Sequence, residues 1–299
     1  MKLWQTIPIL LILIGVQIAA TLIAIPTKAS EVTAFGDPES FSSPFVYLGW
    51  VIVVTAIILV MFKLGFRKFL TAFFLLSVWA TSSFVTLTMV QQFTDGFNPV
   101  ANIAALAIPI FFALLIWKFP EWYVIDAIGF IICAGATAII GVSFGIIPVI
   151  ILLVIFAIYD AISVYKTKHM LTLAESILTQ KLPALFIIPK ERGFSYINSH
   201  TWTDLDNVTA RQTYIIGMGD IIFPSVMVVS ASTFLAGPKL FGVFTIPAIG
   251  AMVGSWIGLV VLQWYATKHP QTHAGLPFLN TFTIFGFGMM YLAGIVWAI

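Results

Sequence analysis

Two aspartates stand inside apolar stretches of the sequence, where a charge is costly. Asp160 lies near the end of "IIPVIILLVIFAIYDAISVY", and Asp220 follows two glycines in "IIGMGDIIFPS". A carboxylate near the middle of a membrane-spanning helix costs about 2.5 to 3.5 kcal/mol, and such residues are functional by default. Neither stretch supplies a lysine, arginine or histidine to neutralise its aspartate. The two residues are therefore the first candidates for chemistry.

Two carboxyl groups that are forced together can hydrolyse a peptide bond without a metal ion. They cannot both ionise, so they share one proton. The ionised carboxylate takes a proton from a water molecule, which attacks the peptide carbonyl, and the protonated partner donates first to the carbonyl oxygen and then to the leaving amine. Because the pair titrates as a unit, the sequence does not assign the shared proton to either aspartate.

The sequence lacks the residues that metal-dependent, phosphate-transfer or serine–histidine catalysis would need. The four histidines lie in predicted loops or at the edge of a span: His169, His200, His269 and His273. The sequence has no His-Glu-x-x-His zinc motif, no Walker-type phosphate loop and no span histidine to activate a serine. The single cysteine, Cys133, forms neither a disulfide within the chain nor a cysteine metal cluster. We therefore expect no metal and no cofactor.

The composition is that of a polytopic membrane protein. Of 299 residues, 60% are hydrophobic and 9% are charged, whereas soluble domains carry about 25% charged residues. A net charge of +2, without a basic run interleaved with aromatic residues, gives no reason to expect nucleic-acid binding. The expected partners are the lipid bilayer and other membrane proteins.

Stretches of about 20 apolar residues predict the membrane spans. Nine are found, at residues 3–25, 44–62, 69–90, 99–117, 122–140, 146–164, 212–235, 241–265 and 276–298. The predicted fold is all-α, with one membrane-embedded domain over residues 1–299. Spans one to six occupy 1–164, a cytosolic loop 165–211, and spans seven to nine 212–299. In the eighth span, Pro247 is expected to produce a kink.

The distribution of lysine and arginine predicts the orientation. With the N-terminus in the cytosol and the C-terminus outside, only Lys28 and Lys239 face the extracytosolic side. Asp160 then lies roughly 6 Å, and Asp220 roughly 13 Å, from the cytosolic ends of consecutive spans. The two carboxyl groups are thus expected at similar depth. Asp126, beside Trp122 and Tyr123, is interpreted as an interfacial residue in contact with water.

Glycine and proline residues near the aspartates predict local breaks in the helices. Gly217 and Gly219 permit unwinding, or the close approach of another backbone, directly before Asp220. Pro277 lacks an N–H and interrupts the start of the last span at the same predicted depth. Such breaks suit a cleft that accepts an extended peptide.

These residues resemble the paired motifs of the presenilin and signal peptide peptidase family. The motifs are Tyr159-Asp160 in one span and Gly217-Met218-Gly219-Asp220 in the next, and the resemblance covers most of the chain. The family's third motif, Pro-Ala-Leu, is matched by Pro277-Phe278-Leu279 after Leu276, with phenylalanine in place of alanine. A literal Pro183-Ala184-Leu185 lies in the loop and is not assigned to the active site.

The resemblance implies a presenilin-like fold of nine spans and an intramembrane aspartic endopeptidase that cleaves transmembrane segments of other proteins. Asp160 and Asp220 would be the catalytic pair, Tyr159 and 217–219 would shape the site, and 276–279 would border the cleft. The predicted orientation resembles the presenilin branch, and the short termini suggest a prokaryotic, archaeal-type homologue in the cell membrane. A homo-oligomer is left open.

Two alternatives use the same residues differently. A transporter or channel would use the two carboxylates as a proton or cation relay, although the sequence shows no internal repeat. The prepilin-peptidase type of protease also uses Gly-x-Gly-Asp, but it fits the Tyr159-Asp160 pair and the proline motif poorly. The loop 165–211 is expected to fold over the access to the site or to offer a strand edge to the substrate.

Overall fold

The computed structural model describes residues 6–29, 34, 36–93, 99–166, 174, 177–190, 193–197, 213–269 and 273–298. Long helices dominate this part of the chain, with two small sheets between them. The helices are α1 (Ile7–Ala29), α2 (Ser43–Lys63), α3 (Arg67–Phe93), α4 (Pro99–Lys118), α5 (Trp122–Ser143), α6 (Ile146–Tyr165), α7 (Met218–Phe234), α8 (Ile246–Lys268) and α9 (Leu276–Ala298). The strands are β1 (Leu185–Pro189), β2 (Thr213–Gly217), β3 (Lys239–Leu240) and β4 (Phe244–Thr245).

The helical, membrane-spanning architecture predicted from the sequence is confirmed. Eight of these helices are long and apolar enough to cross a membrane, and α7 is a shorter apolar helix of 17 residues. The predicted turn between the fifth and sixth spans is also present, since α5 ends at Ser143 and α6 begins at Ile146. The division of the chain into 1–164, 165–211 and 212–299 stays a prediction.

The seventh span does not begin as a helix, which corrects the prediction for residues 212–235. Residues 213–217 are the extended strand β2, and helix α7 begins only at Met218. The segment Thr-Tyr-Ile-Ile is rich in residues that favour strands, and it pairs with β1. Asp220 therefore lies in the first turn of α7, and the predicted depth of 13 Å along a helix is wrong.

The eighth span differs in the same way, and the kink expected at Pro247 is wrong. Thr245 ends strand β4 and caps helix α8, where its hydroxyl accepts a 3.4 Å hydrogen bond from Ala248 N. Pro247 consequently stands in the first turn of α8, where the missing N–H of a proline leaves no hydrogen bond unmade.

The main sheet joins the predicted loop to the helical body. Strand β1 comes from the loop and pairs antiparallel with β2, from Leu185 opposite Gly217 to Pro189 opposite Thr213. The smaller sheet is the β3–β4 hairpin between α7 and α8. These four strands distinguish the structure from a purely helical fold. Strand β2 of the larger sheet is followed directly by the helix that carries Asp220.

Close packing fixes the helices that carry the site. Helices α8 and α9 approach so tightly that a Cβ on Gly250 or Gly254 would overlap the backbone of α9, as small residues allow in membranes. A buried amide, Gln17, donates a 2.8 Å hydrogen bond to Ser255 Oγ and accepts one of 2.8 Å from Trp256 Nε1. It ties α1 to α8.

A contact joins the C-terminal ends of α1 and α7. Lys28, in the last turn of α1, donates a 2.7 Å hydrogen bond to Thr233 O in the last turn of α7. At the α5–α6 turn, Gly145 N donates to Pro38 O at 2.8 Å. The two aspartates lie at the opposite end of their helices. Which end faces the cytosol stays a prediction.

Candidate active site

Asp220 is positioned by the start of helix α7. Gly217 is the N-cap residue in an extended conformation (φ −65°, ψ 138°), and its backbone donates a hydrogen bond to the Asp220 carboxyl group. This is half of a capping box, in which an acidic side chain in the first turn returns to the N-cap N–H. The helix dipole favours a negative group at this place. Gly217 thus caps the helix and does not unwind it.

Met218 joins α7 to the sheet and to α5. Its N–H donates a 3.2 Å hydrogen bond to Ala184 O, just before β1. Its side chain is 6% exposed and packs on Gly129 so closely that a Cβ there would overlap it. Met218 therefore fixes the start of α7 against α5, and both Met218 and the neighbouring Gly219 line the cavity.

Asp160 is held by the segment that precedes α9. It lies on α6, five residues before the helix ends at Tyr165, and is 4% exposed. Its Oδ2 accepts a 3.1 Å hydrogen bond from Leu276 N, and the backbone of Gly275 also hydrogen-bonds to this carboxyl group. Asp160 and Asp220 are close enough to interact electrostatically.

Gly275 contacts the second aspartate and was not predicted from the sequence. A Cβ built on Gly275 would lie 2.9 Å from both carboxyl oxygens of Asp220. Together, Gly275 and Leu276 place one short backbone segment against both carboxyl groups. The signal that could have found it is a glycine directly before Leu-Pro at a helix start.

The other residues of the predicted proline motif lie outside the cavity lining. Leu276 lines the cavity, but Leu279 is fully buried in the core, and the Phe278 ring packs 5.4 Å from the Tyr265 ring. Pro277 occupies the first turn of α9. Its missing N–H needs no partner there, and the helix can begin directly after the contact with Asp160.

A cavity of about 500 Å³ connects the two aspartates to the predicted loop. Asp160, Tyr159 and Asp220 line it together with all of β2 and the glycine pair Gly217 and Gly219. Ala184 and Leu185 of the literal Pro-Ala-Leu stretch also line it. That stretch, set aside on sequence grounds, is thus a wall of the same cavity. Most of the lining is apolar, with Lys190, Gln263 and His273 among its polar residues.

Aromatic residues form the part of the cavity one turn deeper than the aspartates. The rings of Phe156 on α6 and Phe223 on α7 stack at 4.1 Å, and both residues line the cavity. Tyr159 is hydrogen-bonded through its side chain to Thr55 of α2. Asp160 and Asp220 thus stand between an aromatic floor and the backbone segment of Gly275 and Leu276.

Asp126 has a different environment from the one predicted. Its Oδ1 accepts a 2.9 Å hydrogen bond from Ile187 N at the middle of β1, so the carboxylate is bonded to protein instead of simply facing water. Within the described residues, no group of three or more His, Cys, Asp or Glu side chains is arranged to hold a metal ion.

Comparison with known proteins identifies the family. The family model described as signal-peptide peptidase, presenilin aspartyl protease matches residues 9–296, and the chain belongs to this family. A solved presenilin family intramembrane aspartate protease, in space group C222, is 32% identical, covers 96% of this chain and 99% of its own, and has a TM-score of 0.71. A comparison with curated proteins gave no match.

A second solved structure agrees with the first. It is a presenilin family intramembrane aspartate protease in space group P2, with 33% identity, a TM-score of 0.69, and coverage of 95% of this chain and 96% of its own. The protein is therefore an integral, multi-pass membrane protein and an aspartic endopeptidase that acts on transmembrane substrates. The predicted fold class and enzyme class are confirmed.

Proposed function

We propose that Asp160 and Asp220 are the catalytic pair and that they activate a water molecule between them. The observation that carries this proposal is that both carboxyl groups lie against the Gly275–Leu276 backbone in one largely apolar cavity. Charges are poorly solvated in such a place, so the two carboxyl groups hold one proton between them. The ionised group takes a proton from water, and the protonated group donates to the carbonyl oxygen of the substrate and then to the leaving nitrogen.

The backbone around Gly275 and Leu276 orients the pair. Leu276 N donates to Asp160 Oδ2, and the backbone of Gly275 also hydrogen-bonds to this carboxyl group, so the Asp160 side chain is held in one orientation. Gly275 leaves room for the Asp220 carboxyl group, which a side chain would crowd. Tyr159, Gly217, Met218 and Gly219 shape the cavity, and Met218 also supports the start of α7.

The substrate is a transmembrane segment that unwinds before it is cut. A peptide carbonyl inside a helix is hydrogen-bonded and surrounded by side chains, so the cut segment must be extended. All five residues of β2 line the cavity, and an extended segment can pair with a strand edge. In this proposal, strand β1 of the loop supports β2, and β2, which follows the loop, offers its edge to the substrate.

The finer assignments made from the sequence remain part of the proposal. We propose that the N-terminus is cytosolic, the C-terminus extracytosolic, and the membrane that of a prokaryotic cell. A homo-oligomer is left open. No cofactor takes part in the proposed steps.

A cleavage assay tests the catalytic pair. The purified protein, Asp160→Ala and Asp220→Ala would each be incubated in detergent with a model spanning peptide, and the products identified by mass spectrometry. We expect cuts within the apolar segment by the parent and none by either variant. Cleavage that persists in either variant would remove the pair from the mechanism.

A separate measurement tests the transporter hypothesis. Family membership favours hydrolysis, but both roles would depend on the same carboxyl groups. Reconstitution in liposomes distinguishes them, because a relay gives a proton or cation flux that Asp160→Asn and Asp220→Asn abolish. We expect peptide products and no such flux. Flux without products would favour the transporter.

A further inference from the structure

Asp126 is a third aspartate within the predicted spans, and the proposed chemistry does not use it. It lies near the start of α5, and its Oδ1 accepts the 2.9 Å hydrogen bond from Ile187 N. An acidic residue within a membrane-spanning segment is rare, usually has a partner, and is a functional candidate by default. Its partner here is one backbone amide of a strand that borders the active site.

This hydrogen bond occupies the outer edge of β1. Ile187 stands opposite Ile215 in the antiparallel pair, yet its N–H donates to Asp126 and is therefore not part of the ladder. In an antiparallel pair, the backbone groups of alternate residues point to opposite edges of a strand. Asp126 thus fastens the middle of β1 to α5 and blocks that edge against another strand.

The fastened strand leads directly to the catalytic helix. Ala184 O, next to β1, accepts the hydrogen bond from Met218 N, and β2 ends at Gly217, the N-cap of α7. Gly129, one turn after Asp126 on α5, receives the Met218 side chain. Residues three apart lie on the same helix face, so one face of α5 contacts both β1 and the start of α7.

A neighbouring carboxylate holds the chain after β1 and has a separate role. Glu121 accepts hydrogen bonds from Ser195 Oγ at 2.6 Å and Tyr196 N at 2.7 Å, and Trp122 Nε1 donates to Phe194 O at 3.1 Å. The loop is consequently attached to α5 without Asp126. Asp126 differs from Glu121 because it binds strand β1 itself, through Ile187 N.

We propose that Asp126 is a positioning residue that sets the place of the β1–β2 sheet relative to the two catalytic aspartates. Through that sheet it determines which peptide bonds of an extended substrate reach the aspartates. The inference rests on the proposed function, in which β2 receives the substrate. It predicts an effect on the choice of bond as well as on the rate, which a role in stability alone would not produce.

The test compares Asp126→Ala with the acceptor-preserving Asp126→Asn in the full-length protein. Product masses from one model spanning peptide give the cut sites, and the concentration dependence gives kcat and KM. Hydrogen–deuterium exchange over 185–189 reports the strand without reference to activity. Asp126→Ala removes the acceptor of one buried hydrogen bond. We therefore expect faster exchange at 185–189, new cuts at neighbouring peptide bonds and a fall in kcat of about tenfold.

Asp126→Asn should keep the cut sites and the slow exchange of the parent, because the amide oxygen still accepts from Ile187 N. Glu121→Gln is the matched control, since it changes the neighbouring anchor and should leave the cut sites in place. Parent cut sites and parent exchange in Asp126→Ala would overturn the inference, as would loss of the cut sites in a folded Asp126→Asn. If Asp126→Ala does not fold, Asp126→Glu carries the test, with moved cut sites expected and unchanged sites opposing it.

Failure of this inference is distinct from failure of the proposed function. The parent and Asp160→Ala are measured in the same assay. Cleavage that does not depend on Asp160 would refute the catalytic pair, while the exchange data would still report whether Asp126 holds β1. Cleavage that depends on Asp160 but not on Asp126 would refute the positioning role alone.

Discussion

The backbone N–H of Leu276 donates a 3.1 Å hydrogen bond to Oδ2 of Asp160, 116 positions earlier in the chain. The residue before it, Gly275, lies against the carboxyl group of Asp220. One dipeptide at the start of α9 therefore contacts both members of the proposed catalytic pair. Since Pro277 follows and has no N–H, helix α9 begins there without competing for either carboxyl group.

Removing the Leu276 N–H should lower the catalytic rate. Leu276→Pro deletes the donor at the first helical position, where proline is tolerated. A hydrogen bond to a charged group contributes about 1.5 to 3 kcal/mol, so we expect kcat to fall about 10- to 100-fold. Leu276→Ala is the control, because it keeps the N–H and loses only the buried side chain. It should lower the melting temperature and reduce kcat much less. Equal losses in the two variants at equal stability would show that the N–H is not responsible.

A side chain at Gly275 should displace the Asp220 carboxyl group. The Cβ of Gly275→Ala would lie 2.9 Å from both oxygens, so the carboxyl group must move. We expect a moderate loss of kcat for Gly275→Ala and a nearly complete loss for the bulkier Gly275→Val. Gly288→Ala, in helix α9 that follows, provides the comparison because no neighbouring atom lies within 4 Å of its added Cβ. Full activity in Gly275→Val would contradict the observed contact.

The aromatic floor should limit the size of the residues accepted near the cut. Phe156 and Phe223 stack one turn deeper than Asp160 and Asp220. Phe223→Leu shortens one wall while keeping an apolar side chain, so we expect improved cleavage of peptides with a bulky residue next to the scissile bond. The measurement is kcat/KM for a peptide series that varies only at that residue. Phe285→Leu, on an exposed position of α9 (65%), should show the parent order of preference, and the same order in Phe223→Leu would argue against a floor.

The attachment of the loop to α5 should weaken in acid. Burial, the largest single cause, raises the pKa of the Glu121 carboxyl group, but hydrogen bonds from Ser195, Tyr196 and other backbone groups together outweigh it, so the pKa lies below its ordinary value of 4.5. A lowered folded-state pKa means that the attachment is fully present above the unfolded-state pKa and is lost as the pH falls through the folded-state value. As the pH falls from 4.5 through the lower folded-state pKa, we expect faster exchange over 193–197.

Glu121→Gln serves as the reference for this pH dependence. The variant has no carboxylate to protonate, so its exchange over 193–197 should be faster than that of the parent at neutral pH and should change little on acidification. A parent profile that is flat between neutral pH and acid would show that the carboxylate does not hold the segment.

Much of the fold followed from short-range patterns. Most of the spans coincide closely with the predicted ones because a run of about 20 apolar residues has no other stable environment than the membrane or a core. Asp160 and Asp220 were found for the opposite reason: each is a costly charge in such a run. The start of α7 was misplaced because the same apolar residues suit a strand once a partner strand is present.

The sequence by itself determined the class of membrane protein, the spans and the two aspartates, since these depend on composition and on spacing along one chain. Only the tertiary structure decided which residues meet them. Gly275 is separated from Asp220 by an entire span, β1 reaches β2 from the loop, and Asp126 finds its partner 61 positions away at Ile187. Such contacts depend on how the helices pack in three dimensions. The sequence around a glycine, a strand or a backbone N–H does not show which distant residue it will contact.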